Sequence, residues 1–510
     1  MHCIPVVALL SALFCASVRP AEAQTWAAGL AVASIEGGRV GSTAYRSSSR
    51  LQVSWTAPAE AVHRYVLTLT DGVTGASVGV ETAETRLTVS GLKSATPHTA
   101  ALRACLDEAC ATSLEADAAA SGQTAEEYWQ VRGTGSSYTG ATRIVTDGNT
   151  YPYVILYGAW AGAALSGKAQ LYYNPTIATE KGIKIAELSS GTNDSVAALS
   201  SYRGVSGFGL LRACEFRPGQ PFSCPGDSVA GLVTTTQAVP LDLSMGGGIR
   251  LFFEAMGTDQ RTRIMYLDSR DGYVGRDFNG GAKTICNTLA DYSAGGGCVP
   301  EVIVGVGGDT LNGNPGLSNA RQFKVGYPTR RDWRWDGAAG AFMVMTAEFQ
   351  PPCSSNSFFN AAMAIWDGIR WGVQTDAAGC PKYLAEVQAP MPVHMGGARY
   401  KMYFSHNPIP STGMANPLSD IKPLKVIYAD GGVAGDPATI DFEDWEQVAQ
   451  AREVHLLWPD GSMADAVNES QLDDYVMFMP TGNPLVQVMY SNMAVPGQVP
   501  FIGMAVLVNP

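Results

Sequence analysis

The feature that most constrains this chain is a unit that recurs along its second part: a short strand with a glycine-bearing turn, an aromatic strand, a connector and a further apolar strand. RLFFEA followed by RIMYLDSRDG (250–272) is echoed by RYKMYFSHN with LKVIYADGG (399–432) and by DYVMFMPTG with VQVMYSNM (474–493). YPYVILYG with AQLYYNP (152–175) and GAFMVMTAEF with AAMAIWDG (340–368) follow the pattern more loosely. Upstream of each pair lies another short run: RIVTDGN (143–149), VPLDLSMGGG (239–248), VPEVIVGVGG (299–308), PMPVHMGG (390–397) and VHLLWPDG (454–461). Each unit alternates apolar with small or polar residues, so each has a face to bury against a neighbour.

Composition agrees. With 56 glycines, 29 prolines and only 16% charged residues, the 510-residue chain suits short strands joined by tight turns, and its length allows more than one core. Repeated antiparallel sheets of this kind close into a propeller; a second sandwich or a jelly roll is the rival arrangement. The run PFIGMAVLVNP (500–510) is expected to close the ring against the first blade.

Ahead of the repeats, LQVSWTAP (51–58), RYVLTLTDG (64–72), TRLTVSGL (85–92) and HTAALRAC (98–105) alternate cleanly, with Tyr65, Leu67 and Leu69 on one face. With Trp55 and Tyr65 on successive strands, and Gly91-Leu92 leading to Thr96 and Ala104, residues 24–122 resemble a fibronectin type III domain. His98 stands where that family carries a corner tyrosine, and a structural role is expected for it. The resemblance implies a spacer or adhesive module, able to make protein contacts. The expected fold is all-β, an immunoglobulin-like sandwich followed by a five-bladed propeller over 128–510.

The first 23 residues read as a secretory signal, an apolar run ending in Ala21-Glu22-Ala23. A secreted or periplasmic protein follows, with no later run approaching the roughly 20 apolar residues of a membrane span. The 10 cysteines lose Cys3 and Cys15 with the signal, and the rest fall as neighbours: Cys105/Cys110, Cys214/Cys224, Cys286/Cys298 and Cys353/Cys380. In an oxidising compartment local disulfides are the plain reading, though sequence alone does not fix the pairing. A net charge of -12 and the lack of a basic, aromatic-laced run exclude nucleic acid as the expected partner.

The Pro240–Glu254 and Ile264–Gly272 stretches, with Pro392–Ser405 and Val426–Asp430, resemble the five-bladed propellers of the arabinanase, xylosidase, invertase and levansucrase glycoside hydrolases. That resemblance implies a funnel lined by the first strand of each blade, where one carboxylate activates water or attacks the anomeric carbon and a protonated one serves the leaving oxygen. The first blade should open on an Asp. Here it reads Tyr138-Thr139-Gly140-Ala141-Thr142, and Asp147 belongs to an ordinary hairpin turn. Asp242 and Glu301 are the remaining catalytic candidates; Arg143, His394 and His455 are candidate ligand contacts on strands read as equivalent. For each of these the plainer reading is a turn cap, a solvated strand end or a satisfied wall residue. RRDWRWDG (330–337) offers Trp333 and Trp335 as stacking platforms for a sugar.

No zinc spacing, nucleophile elbow, P-loop or dinucleotide fingerprint occurs, so no cofactor is expected. GGDTLNGNPG (307–316) carries oxygen ligands of the kind a structural calcium takes, but a plain Asn/Gly loop is the preferred reading. A glycan or polysaccharide is the expected partner. Three functions remain open: a carbohydrate-binding relative lacking the first-blade Asp, an active glycoside hydrolase working through Asp242 and Glu301, and a non-catalytic surface or adhesion protein.

Overall fold

A computed structural model describes residues 24–136, 141–142, 145–146, 149–150, 153–155, 160–161, 164–165, 169–173, 183–188, 236–240, 242–245, 249–256, 261–269, 301–309, 313–327, 335–355, 357, 359–396, 399–406, 424–430, 440, 442–458, 460–463, 473–480, 487–493 and 501–510. Regular structure there is almost wholly strand, with short 3-10 turns at Leu243–Met245, Phe442–Asp444 and Val448–Gln450. Residues 1–23, read above as a signal, and Cys214, Cys224, Cys286 and Cys298 lie outside the described residues.

The chain divides into two compact units. One comprises Met1–Ser34, Leu51–Val89 and Thr96–Gln123; the other comprises Ile35–Arg50, Ser90–Ala95 and Thr124–Pro510.

The first unit is a β-sandwich. One sheet orders Gln24–Trp26, Ser113–Ala116, Pro97–Cys105, Arg64–Asp71 and Ser77–Thr82, with Ala120–Gln123 also pairing Pro97–Cys105; of the other sheet, Ala31–Val40, Thr43–Ser54 and Arg86–Val89, residues 31–34, 51–54 and 86–89 belong to this unit. Strict alternation of buried and less buried residues along Arg64–Asp71 and Pro97–Cys105 gives each strand one core face. Leu51, Val53, Leu67, Leu69 and Leu102 fill that core, and Trp55 meets Tyr65 edge-on at 5.1 Å. His98 is buried opposite Asp71 in the ladder, a wall position. Cys105 and Cys110 are joined as a disulfide across the CLDEAC turn.

The second unit is propeller-like. Sheets built mainly of antiparallel neighbours follow one another in chain order. The first holds Ala141–Thr142, Tyr153–Ile155, Ala169–Tyr173 and Ile183–Leu188; the second Thr236–Pro240, Ile249–Met256, Thr262–Ser269 and Glu301–Val304. The third holds Leu317–Gly326, Phe342–Phe349, Asn360–Trp366 and Trp371–Val373, with Tyr383–Ala385 beside Asn360–Trp366. In the fourth, Val387–Gly396, Arg399–His406, Leu424–Asp430 and Arg452–Leu457 succeed one another. The fifth runs Asp473–Pro480, Gln487–Met493, Phe501–Leu507 and then Glu127–Ser136, whose parallel pairing with Arg452–Leu457 makes the fourth and fifth one continuous eight-stranded sheet.

Both faces of a middle sheet are buried, which is what stacking demands. Along Phe342–Phe349, Met343, Met345 and Ala347 enter the seam with the second sheet, while Phe342 and Val344 enter the seam with the fourth. The first strand of the first sheet lies against that of the second, that of the third against that of the fourth, and that of the fourth against that of the fifth.

Sheet order corrects the phase of the repeat. Glu301–Val304 is the last strand of the second sheet, whereas the sequence pattern expects it to open the third, and Arg452–Leu457, expected to open the fifth, lies inside the eight-stranded sheet between Leu424–Asp430 and Glu127–Ser136. Both are apolar runs that end in a glycine turn, and a period of two cannot tell an opening strand from a closing one. Closure differs too. The final run pairs with Gln487–Met493 on one side and on the other with Glu127–Ser136, which follows the sandwich in sequence and lies between it and Arg452–Leu457.

Segments from the N-terminal part complete the second unit. Gly37 and Gly38 pass so close to Val508 and Asn509 that a Cβ on Gly38 would stand 2.0 Å from the Val508 carbonyl oxygen and one on Gly37 2.8 Å from Asn509 Cα. Asn509, wholly buried, donates from Nδ2 to the carbonyls of Arg46 (2.7 Å) and Glu126 (2.8 Å) and accepts the Tyr128 N–H at Oδ1 (2.9 Å).

Candidate functional site

The first strands of the sheets are where distant parts of the second unit come together, so the expected site residues are judged by their place relative to those strands. Asp242 follows the first strand of the second sheet. Its Oδ1 accepts both the N–H and the hydroxyl of Ser244 at 2.9 Å, and its own N–H donates to the Trp335 carbonyl at 2.8 Å. The carboxylate therefore caps the 3-10 turn Leu243–Met245. Glu301 begins the outermost strand of the second sheet, opposite Tyr266. These two carboxylates occupy opposite edges of one sheet rather than equivalent strands.

His394 does lie on a first strand, that of the fourth sheet, with its ring 5.0 Å from Tyr400. The Tyr400 hydroxyl donates to the Tyr327 carbonyl and its ring meets Phe342 edge-on at 4.9 Å, so this histidine borders the seam between the third and fourth sheets. His455 lies on the last strand of the fourth sheet, where Nε2 is 2.9 Å from Glu126 Oε2 and the ring stacks on Tyr128 at 4.9 Å. Arg143 and Trp333 lie outside the described residues. Trp335 is 1% exposed, packed among Phe252, Trp366 and Trp371 with the Arg250 guanidinium 4.7 Å from its ring. Burial accounts for it: a ring enclosed in this way has no open face for a sugar.

The loop after Glu301–Val304 is built on an ion pair. Arg263 grips both oxygens of Asp309 at 3.0 Å, and Oδ2 also accepts the Val306 N–H at 2.8 Å. The oxygens that a cation would require are thus engaged by a guanidinium. Among the described residues no group of three or more His, Cys, Asp or Glu is placed to hold a metal ion. Cys353 and Cys380 are joined as a disulfide.

A buried polar cluster escapes the sequence pattern. Glu127, on the strand that completes the fifth sheet, accepts from Lys401 Nζ (3.1 Å), Trp129 Nε1 (3.1 Å) and the Tyr403 hydroxyl. Nearby, Lys93 Nζ bridges Asp430 (2.7 Å) and Glu446 (3.0 Å), Glu446 also binds Arg452, and the Tyr428 hydroxyl accepts the Ser94 N–H at 2.9 Å. Burial, followed by the charge of Glu127, pushes the Tyr403 and Tyr428 hydroxyls above the ordinary phenol range. Burial also pushes the Asp430 carboxyl upward, but Lys93 and Arg399 outweigh it and hold the group below its usual range. Every carboxylate of the cluster has a cation beside it, as buried charge requires. Its traces in the sequence are Glu127 in TAEEYWQV and Lys401 in RYKMYF, charges set within otherwise apolar strands.

Half-buried Lys324 has no carboxylate partner among the described residues. It lies on the first strand of the third sheet, and burial alone pushes its ammonium down to about 8.

No protein-family model matches the chain, and no curated protein matches it. Among solved structures it is similar to a thermostable family-43 glycoside hydrolase at 9% identity and a TM-score of 0.33, over 72% of this chain and 87% of that one. A segment of two fibronectin type III domains from chicken tenascin is similar at 12% identity and a TM-score of 0.14, over 44% of this chain and 94% of that one. Likenesses at these scores carry no argument, and the fold rests on the order of the sheets. Among the described residues no helix is long and apolar enough to cross a membrane. The two disulfides suit an oxidising compartment.

Proposed function

We propose that this is a secreted carbohydrate-binding protein, a fibronectin type III-like module followed by a five-bladed propeller of glycosidase type that binds glycans without hydrolysing them. The observation that carries the choice of binding over hydrolysis is the fate of the two candidate carboxylates. Asp242 spends its carboxylate on a turn, and Glu301 starts an outermost strand. General acid–base cleavage of a glycosidic bond needs two carboxyl groups about 5–10 Å apart on either side of the bond, one of them kept protonated. The missing first-blade Asp points the same way. Trp333, His394 and Arg143 remain the ligand contacts of this reading, which takes the mouth of the funnel as the place where the sugar sits.

Support for a ring comes from the succession of sheets and from Glu127–Ser136, which precedes the first sheet in the chain and pairs with the final strand; the five-bladed reading counts the eight-stranded sheet as two blades. The test is a glycan array combined with reducing-sugar release from arabinan, xylan and fructan. Binding with no release supports the proposal. Release that Glu301→Gln abolishes would establish a hydrolase instead, and no glycan signal at all would favour an adhesive surface protein.

A further inference from the structure

Lys324 owes its position to a β-bulge. Arg321 opposes Thr346 and Lys324 opposes Val344, so Gln322 and Phe323 together face Met345, and Gln322 takes a left-handed φ of 49°. A non-glycine residue there is strained, and bulges of this kind re-aim the side chains that follow. Without the extra residue Lys324 would oppose Met343, in the seam with the second sheet; with it, Lys324 opposes Val344, on the face toward the fourth sheet.

The fold supplies its own control. The first strand of the fourth sheet has the same bulge, with Gln388 opposite Ser405, Met391 opposite Tyr403 and Ala389 at a φ of 50°. Met391 occupies the position that Lys324 holds in the third sheet, so the bulge has no need of a lysine. Packing would be better served without one. Four buried cations, Lys93, Lys401, Arg263 and Arg452, each have a carboxylate partner. Half-buried Lys324 has none among the described residues, and an ammonium held in that state costs stability that an apolar residue would not.

We infer that Lys324 is a ligand-binding residue whose ammonium is the counter-ion for the carboxylate of an acidic sugar. This rests on the carbohydrate-binding reading above and gives it a substrate class. A uronate would bring the missing charge partner to a lysine that the bulge sets beside Val344. In a chain of net charge -12, a specific cation on a first strand is what lets an anionic glycan bind.

The test uses calorimetric titration of the full chain with trigalacturonate and with the uncharged galactose trimer of the same linkage, at neutral pH. The parent should bind the acidic trimer about tenfold or more tightly, the scale of one charge-assisted hydrogen bond. Lys324→Met should bring the two trimers within about twofold, while Lys324→Arg, which keeps the charge, should retain the preference. Binding of the neutral trimer with no acidic preference in the parent overturns this inference alone. An acidic preference that survives in Lys324→Met also overturns it, and binding of neither trimer overturns it together with the carbohydrate reading.

Discussion

Asn509 should be among the most costly single positions in the second unit to change. Its amide joins three stretches of chain through bonds of 2.7, 2.8 and 2.9 Å to Arg46, Glu126 and Tyr128, with no exposure to water. Asn509→Ala removes all three. At about 1 kcal/mol net each, with a further charge for leaving two carbonyls and an N–H buried and unmet, the loss should come to roughly 3–5 kcal/mol. That is a large share of the 5–15 kcal/mol typical of a domain. Asn509→Asp should be at least as damaging at neutral pH, because an oxygen then replaces the nitrogen that faces the carbonyls of Arg46 and Glu126. Urea unfolding would measure the loss, and amide exchange on 124–136 and 501–510 would locate it. If both variants unfold within about 1 kcal/mol of the parent, or if the Tyr128 amide stays protected, the idea that this side chain holds the closing strand in place is wrong.

Further expectations follow from the same geometry. Lys324→Met should stabilise the fold at pH 7 by at most about 3 kcal/mol, the equivalent of lowering a lysine from 10.5 to about 8. The unfolded chain holds this proton more tightly than the native one, so the parent gains stability relative to the variant as pH rises from about 8 to 10.5. Paired denaturation curves across that range should converge, and a constant gap would refute the cause. Asp430, held low in the native state, contributes stability present above its ordinary 3.8 and lost as pH falls through the lower native value; Asp430→Asn should flatten that acid limb in a pH titration of the melting temperature. Glu446→Leu takes from Lys93 and Arg452 the buried carboxylate they share, leaving Lys93 with Asp430, and should cost about 3–5 kcal/mol in urea unfolding, whereas an effect near zero would mean that water reaches them. Replacing Cys353 and Cys380 by serine opens a loop with a sequence separation of 27 and should cost about 3.5 kcal/mol by chain entropy. A melting temperature unchanged by reduction in the parent would count against that figure.

The local reading and the tertiary one part company at identifiable residues. The alternation of Arg64–Asp71, the aromatic pairs 250–269 and 399–430, and the neighbouring cysteines 105/110 and 353/380 were legible because each depends on side chains a few positions apart and on a strand period of two. Trp335 misled, since its surroundings in RRDWRWDG are polar while its ring enters a core shared by two sheets. Glu301 and His455 misled through phase, because an opening and a closing strand look alike until their hydrogen-bonding partners are known.

What the sequence by itself determined, then, is a chain of strands with core-facing and outward-facing residues, arranged first as a sandwich and then as repeated sheets. Tertiary structure decided which strand opens each sheet, that residues 127–136 complete the last one, and that Glu127 meets Lys401 and Asn509 meets Arg46. The reason is one of range. Strand and turn preferences are set by neighbours along the chain, but a buried charge or amide is tolerable only where a partner hundreds of residues away arrives to meet it, and that meeting is fixed only when the sheets have packed.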